Sequence, residues 1–101
     1  MKSRESRLLR IDNVGIVVED LKTAIAFFAE LGMELEGEAT VEGQWVDRVV
    51  GLDGVQSDIA MMRTPDGGSR LELSRFQKPT AISPEPNIPI NTLGKHRIMF
   101  A

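Results

Sequence analysis

The chain contains no cysteine, a single histidine and a single tryptophan among its 101 residues. Without cysteine there is no disulfide framework and no thiolate chemistry. An excess of positive charge is missing as well: 12 Lys and Arg stand against 15 Asp and Glu, for a formal charge of -3. A nucleic-acid surface needs a basic face to displace counterions from phosphates, so that class of partner is not expected. Lys2, Arg4, Arg7 and Arg10 do gather near the start, where a solvated N-terminal arm accounts for them better than phosphate contact does. No long apolar run follows Met1, so neither a signal peptide nor a membrane span is expected, and the cytoplasm is the expected location. The sequence also lacks a glycine-rich phosphate loop, a nucleophile-histidine pair and Cys/His metal spacing.

What is present is ordinary for one small globular domain: 42% hydrophobic and 27% charged residues. The stretch from Ile11 to Gly37, IDNVGIVVEDLKTAIAFFAELGMELEG, says most about its fold. Ile11 to Val18 is rich in β-branched residues, and a period of two puts Val14, Ile16 and Val18 on one face with Asn13, Gly15 and Val17 on the other. One face can cover a helix while the other looks into a cavity. Asp20 is placed to cap a helix, and Leu21, Ala24, Ile25, Phe28 and Leu31 recur at three- and four-residue spacing. Gly32 then sits where a left-handed residue ends helices. The unit reads strand, helix, strand.

The second strand spans Met33 to Val41, weakened by Gly37 and edged by Glu34, Glu36 and Glu38 on one parity, a stripe expected to face solvent. Gln44 to Leu52 carries Trp45, Val49 and Leu52 at helical spacing, which predicts a short helix or an ordered loop. Trp45 is expected as a lid packed on the sheet, with ligand contact as the alternative. Ser57 to Arg63 and Ser69 to Phe76 read as strands joined by Thr64-Pro65-Asp66-Gly67-Gly68, whose proline and glycines supply the torsions of a tight turn. Four of the five prolines fall between Pro79 and Pro89, which rules out a regular element there. After that linker, Arg97 to Ala101 has the apolar character of an inner strand and weakly echoes Asn13 to Val17, as the start of a second, repeated unit would.

Three stretches in this order resemble the vicinal oxygen chelate superfamily, which includes glyoxalase I, bleomycin-resistance proteins and extradiol dioxygenases. They are DNVGIVVEDLKTAIAFFAELG, RTPDGGSRLELSRF and GKHRIMFA. The resemblance implies an α+β fold with a βαβββ module, to be completed by pairing with a second chain. The corresponding divisions are an N-terminal arm at 1–10, the module at 11–77, a proline-rich linker at 78–94 and the first strand of an incomplete second module at 95–101. Proteins of this kind pair two modules so that their curved sheets enclose a cavity, with a divalent metal held by side chains on the inner surface.

Carried over residue by residue, the resemblance puts Asn13 where metal-dependent relatives have their first ligand, usually His. Glu72 matches the glutamate of the fourth strand, and Arg97 aligns with the histidine that opens the second module. The fourth ligand belongs to a strand this sequence does not contain. His96 stands beside the expected place, but alternation puts it on the face of Ile98 and Phe100, whereas Arg97 shares a face with Met99. Arginine has no free lone pair and its charge repels a cation, so no cofactor is expected and the metal ligands of relatives count as mostly lost.

The expected site is therefore Glu72 as the catalytic carboxylate, with Asn13, Arg97 and Trp45 as substrate-binding residues. A glutamate between Leu71 and Leu73 has a plainer reading too, as the polar side of a half-exposed strand. If the cavity forms, Glu72 could take a proton from carbon beside a carbonyl, as a glyoxalase-like lyase or isomerase does with a small oxygenated metabolite. Arg97 would then pair with Glu72 or clamp an anionic ligand group. The alternatives are a non-catalytic module that sequesters a small ligand, or a fragment of a longer enzyme. Whether the protein is an enzyme stays open, because this scaffold hosts unrelated chemistries. The expected partners are a small-molecule ligand and a second copy of the chain, in a homodimer that exchanges its C-terminal strand.

Overall fold

The computed structural model describes residues 7–85 and 87–101. The first six residues of the expected N-terminal arm, Lys2 and Arg4 among them, lie outside the described residues. Six elements follow in the order β1 (Val14–Val17), α1 (Leu21–Glu30), β2 (Glu34–Glu42), α2 (Gln44–Val50), β3 (Gln56–Arg63) and β4 (Arg70–Lys78). The four strands form one mixed sheet in the order β1-β4-β3-β2, so the first strand of the chain lies beside the last. β4 runs parallel to β1 and antiparallel to β3, and β3 runs antiparallel to β2. This is the expected α+β architecture.

Local chemistry explains the boundaries of α1. The Asp20 carboxylate accepts a hydrogen bond from the Thr23 amide at 3.0 Å, satisfying one of the donors a helix start leaves unpaired. At the other end Gly32 takes φ 105, a left-handed torsion that costs glycine nothing. Leu21, Ala24, Ile25 and Phe28 pack on a core of Met33, Ala60, Met62, Leu71 and Leu73. Ile16 and Val18 join the same core, so β1 uses the face expected of it.

The hairpin between β3 and β4 turns through 64–69. Its geometry is held by Asp66, whose carboxylate accepts hydrogen bonds from the Thr64 hydroxyl and from the Gly68 amide. The Thr64 hydroxyl, followed by that amide, holds the Asp66 pKa below its ordinary value. Gly67 supplies the positive φ the turn requires.

β2 departs from the expected pattern. Leu35 pairs with Met62 and Gly37 pairs with Met61, so Glu36 is an extra residue in the ladder, a β-bulge. Beyond it the parity of the strand is reversed. Glu38 pairs with the core residue Ala60 and therefore lies on the helix side, while Gly37 falls on the opposite face beside Met61. Glu34, Glu36 and Glu38 are all exposed, as expected, but they do not share a face.

Gln44–Val50 is a helix, closed by Gly51 in a left-handed conformation. Its buried anchor is Val46, near the buried Val55, and the Asp47 carboxylate accepts from the Gly54 and Val55 amides. Trp45 is 61% exposed and is therefore not the packed lid expected of it: one residue before Val46, it points another way on so short a helix.

After β4 the described residues hold no further helix or strand. Arg97 to Ala101 has the extended, apolar sequence of a strand, but no neighbouring backbone pairs with it, and a strand exists only in a ladder. It is held instead by side chains. The Phe100 ring lies 6.3 Å from Phe28, tilted by 56°. Ile98 and Phe100 are roughly half-covered while Met99 is 92% exposed, so the alternation expected along this segment survives without a ladder.

Candidate functional site

The sheet has two unlike faces. One carries Ile16, Leu73 and Ala60 in a single row across three strands and is covered by α1. The other is open. Its central row runs Gly15, Glu72, Met61, Gly37 from β1 to β2, followed by Val17, Ser74, Ile59 and Ala39. Glu72 lies between two buried leucines in β4, so alternation turns its carboxylate onto the open face. Its side-chain neighbours there are small or apolar, which leaves the carboxylate as the only ionisable group in these two rows.

The Ser74 hydroxyl donates to Glu72 Oε1 over 3.4 Å, from the next row of the same strand. The sequence carried a signal for this partner, since two residues along a strand is the same face, yet Ser74 was not among the expected site residues. Nor were Gly15 and Met61, which flank Glu72 through pairings between strands, or Gly37 beyond Met61. A Cβ added to Gly15 would meet no atom closer than 4.0 Å. The glycine therefore leaves open space beside the carboxylate rather than accommodating a tight backbone approach.

The remaining expected residues are dispersed. Asn13 precedes β1, and its amide Nδ2 donates to Asp12 at 3.1 Å. It lines a pocket of about 620 Å³ at the end of the sheet, together with Leu31, Met33, Leu71 and residues 98–101. Glu72, Arg97 and Trp45 do not line that pocket. Arg97 is exposed and makes no ion pair among the described residues, and His96 beside it is exposed as well. Within one chain the structure therefore brings none of Asn13, Arg97 and Trp45 to Glu72 by a hydrogen bond or ion pair.

A second cleft, of about 840 Å³, lies between the start of α1 and the sheet, lined by Glu19, Asp20, Lys22, Glu38, Asp58 and Arg75 among others. Asp58 is its most tightly held group. Thr40 Oγ1 and Gln77 Nε2 each donate to its carboxylate at 2.7 Å, and Arg75 stands 3.9 Å away. The Thr40 hydroxyl above all, then Gln77 and the Arg75 charge, hold the Asp58 pKa below its ordinary value. Asp20 is likewise lowered, chiefly by the Thr23 amide. Both carboxylates are occupied in fastening elements together: β2, β3 and β4 in one case, the start of α1 in the other.

A divalent metal of the kind the resemblance implies does not fit this chain's donor set. Arg97 offers no lone pair, and Asn13 offers only an uncharged amide oxygen, a poor donor for a transition metal. Among the described residues no three of His, Cys, Asp and Glu lie together in a way that could hold an ion. Glu72 is the one residue of a ligand type at its position.

Comparison with known proteins agrees with this architecture. The model of the Glyoxalase/Bleomycin resistance protein/Dioxygenase superfamily matches residues 10–101. The crystal structure of a glyoxalase family protein from Bacillus cereus is similar over 98% of this chain, with 54% sequence identity and a TM-score of 0.89. This chain spans 66% of the length of that relative. No curated protein matches the sequence.

Proposed function

This chain belongs to the glyoxalase/bleomycin resistance protein/dioxygenase superfamily, and from that membership we propose that its open sheet face binds a small oxygenated metabolite on which Glu72 moves a proton. The observation that supports this reading is the position of Glu72, the one ionisable group in two rows of glycine, alanine, serine and apolar side chains. A carboxylate so placed can approach a substrate carbon directly, because Gly15 beside it leaves room. The step is lyase- or isomerase-like. A C–H bond beside a carbonyl breaks, its proton goes to a Glu72 oxygen, and its electron pair moves onto the carbonyl oxygen as an enediolate. For a 2-hydroxy carbonyl substrate, the hydroxyl proton then shifts to the enediolate oxygen and Glu72 returns its proton to the former carbonyl carbon, which completes an isomerisation.

The enediolate needs a positive charge or hydrogen-bond donors aimed at it. In this reading Arg97 supplies the charge from a second copy of the chain laid over the open face, with Trp45 contributing to ligand contact at the margin. The experiment is a turnover screen of small 2-oxo and 2-hydroxy carbonyl compounds with the wild-type chain and Glu72→Gln. A fall in kcat of about 100-fold or more with unchanged folding is expected for a lost general base. Equal turnover by the variant would remove Glu72 from the chemistry.

A second reading is a non-catalytic module that sequesters its ligand. The same two rows favour it, because they hold no other group able to act as an acid opposite Glu72. Saturable ligand binding without turnover would select it.

A further inference from the structure

The pocket that Asn13 lines is separate from the Glu72 face. Its floor is the core itself, Met33 and Leu71, both nearly buried. Its roof is the C-terminal segment, whose Ile98 and Phe100 turn toward the body of the molecule yet stay 41% and 48% exposed. Two apolar side chains aimed inward over an apolar floor, with about 620 Å³ between, form a space of the size that small-molecule sites occupy.

The charges at the rim are already paired. Arg70, the pocket's one cation, is 3.1 Å from Glu36 and 3.5 Å from Asp12, and Asp12 also meets Arg10 at 3.2 Å. The Asp66 carboxylate is occupied by Thr64 and Gly68. Among the described side chains that line the pocket, no cation and no carboxylate is left without a partner. The Asn13 amide gives one of its two N–H groups to Asp12, and its carbonyl oxygen carries no partner among the described residues and stands as an acceptor at the edge of the space.

We propose that this pocket is a second ligand site, independent of Glu72, for an uncharged and mainly apolar small molecule carrying one hydrogen-bond donor, with residues 98–101 as its lid. Binding would cover the half-exposed faces of Ile98 and Phe100 and add to the contact that Phe28 makes with the lid.

The test is a titration of the full chain with benzyl alcohol at neutral pH, followed by methyl NMR, with benzoate as the charged comparison. Saturable shifts are expected at the Met33 and Ile98 methyls, with the Met61 methyl on the opposite face unmoved. Benzoate should bind at least tenfold more weakly. Ile98→Trp fills the space and Phe100→Ala releases the lid from Phe28, so each should weaken binding at least tenfold. The second variant changes an exposed segment and leaves the core intact. Shifts that stay linear to the solubility limit, that centre on Met61, or that persist in both variants would overturn the proposal, as would benzoate binding as tightly as the alcohol.

Discussion

Gly15 of β1 is the direct neighbour of Glu72 across the parallel ladder, and the nearest atom a Cβ at Gly15 would meet is the Glu72 carbonyl oxygen at 4.0 Å. Alanine therefore fits the strand, and removing a glycine's excess freedom from a strand interior is worth about 0.5–1 kcal/mol. Gly15→Ala should raise the unfolding free energy by that margin, read from urea melts. Gly15→Leu should fold yet cover the carboxylate and weaken ligand binding on the open face; a lower midpoint for the alanine variant would mean that the site is tighter than its contacts indicate.

Met61 and Met62 are consecutive but face opposite sides of β3, and they should respond differently to truncation. Met62 is fully buried, so Met62→Ala should cost roughly 2–5 kcal/mol. Met61→Ala, on the open face, should cost less than about 1 kcal/mol in dilute solution. Denaturant melts of the two variants make the comparison, and equal losses would show that Met61 is covered.

A homodimer is the expected state in solution. The open face presents Val17, Ile59 and Met61, and a sheet with a helix on one side only leaves the other wet. Both β1 and β2 are edge strands, open to further pairing. Light scattering at micromolar concentration should give twice the chain mass. A stable monomer would contradict it, and a chain cut after Gln77 that dimerises equally well would exclude an exchanged C-terminal segment.

Acid should loosen the junction of β2, β3 and β4 before the core fails. The folded pKa of Asp58 lies below its ordinary 3.8, with Thr40 the leading cause. A depressed carboxylate contributes its full stabilisation above the unfolded value and loses it as pH falls through the folded one. Stability should therefore decline from about pH 5 downward, and Asp58→Asn should be less stable at neutral pH with a flatter acid limb. Urea midpoints between neutral and acidic pH measure this; parallel curves would assign the acid sensitivity elsewhere.

Elemental analysis of the purified chain should find no stoichiometric divalent ion, given an amide at Asn13 and a guanidinium at Arg97 where relatives would place ligands. One zinc, nickel, manganese or iron ion per chain, lost in Glu72→Ala, would restore a metal site at that carboxylate.

The parts of the fold written in short-range chemistry were legible beforehand. Asp20 and Gly32 bracket α1, the Thr64 to Gly68 turn fixes the β3–β4 hairpin, and the alternation of β1 separates Ile16 from Gly15. What escaped depends on partners distant in sequence. The bulge reverses the parity of Glu38, and its one local sign was an isolated glycine at Gly37. The contact of Phe100 with Phe28 joins residues 72 positions apart and has no signature in either segment. The site was half legible. Glu72 stands out as a carboxylate between leucines and Ser74 follows from the same alternation, whereas Met61 and Gly15 come beside it only through registers that no local pattern encodes.

The bulge also marks where the sheet can absorb a change in chain length. Glu36 is the surplus residue between two pairs that are otherwise consecutive, Leu35 with Met62 and Gly37 with Met61. Deleting it would leave every other residue of β2 opposite its present partner and on its present face, at the expense of one exposed ion pair with Arg70. A deletion elsewhere within β2 would shift one arm out of phase and turn its core side outward. Single-residue length variation in this strand should therefore be tolerated at position 36, leaving the neighbourhood of Glu72 undisturbed.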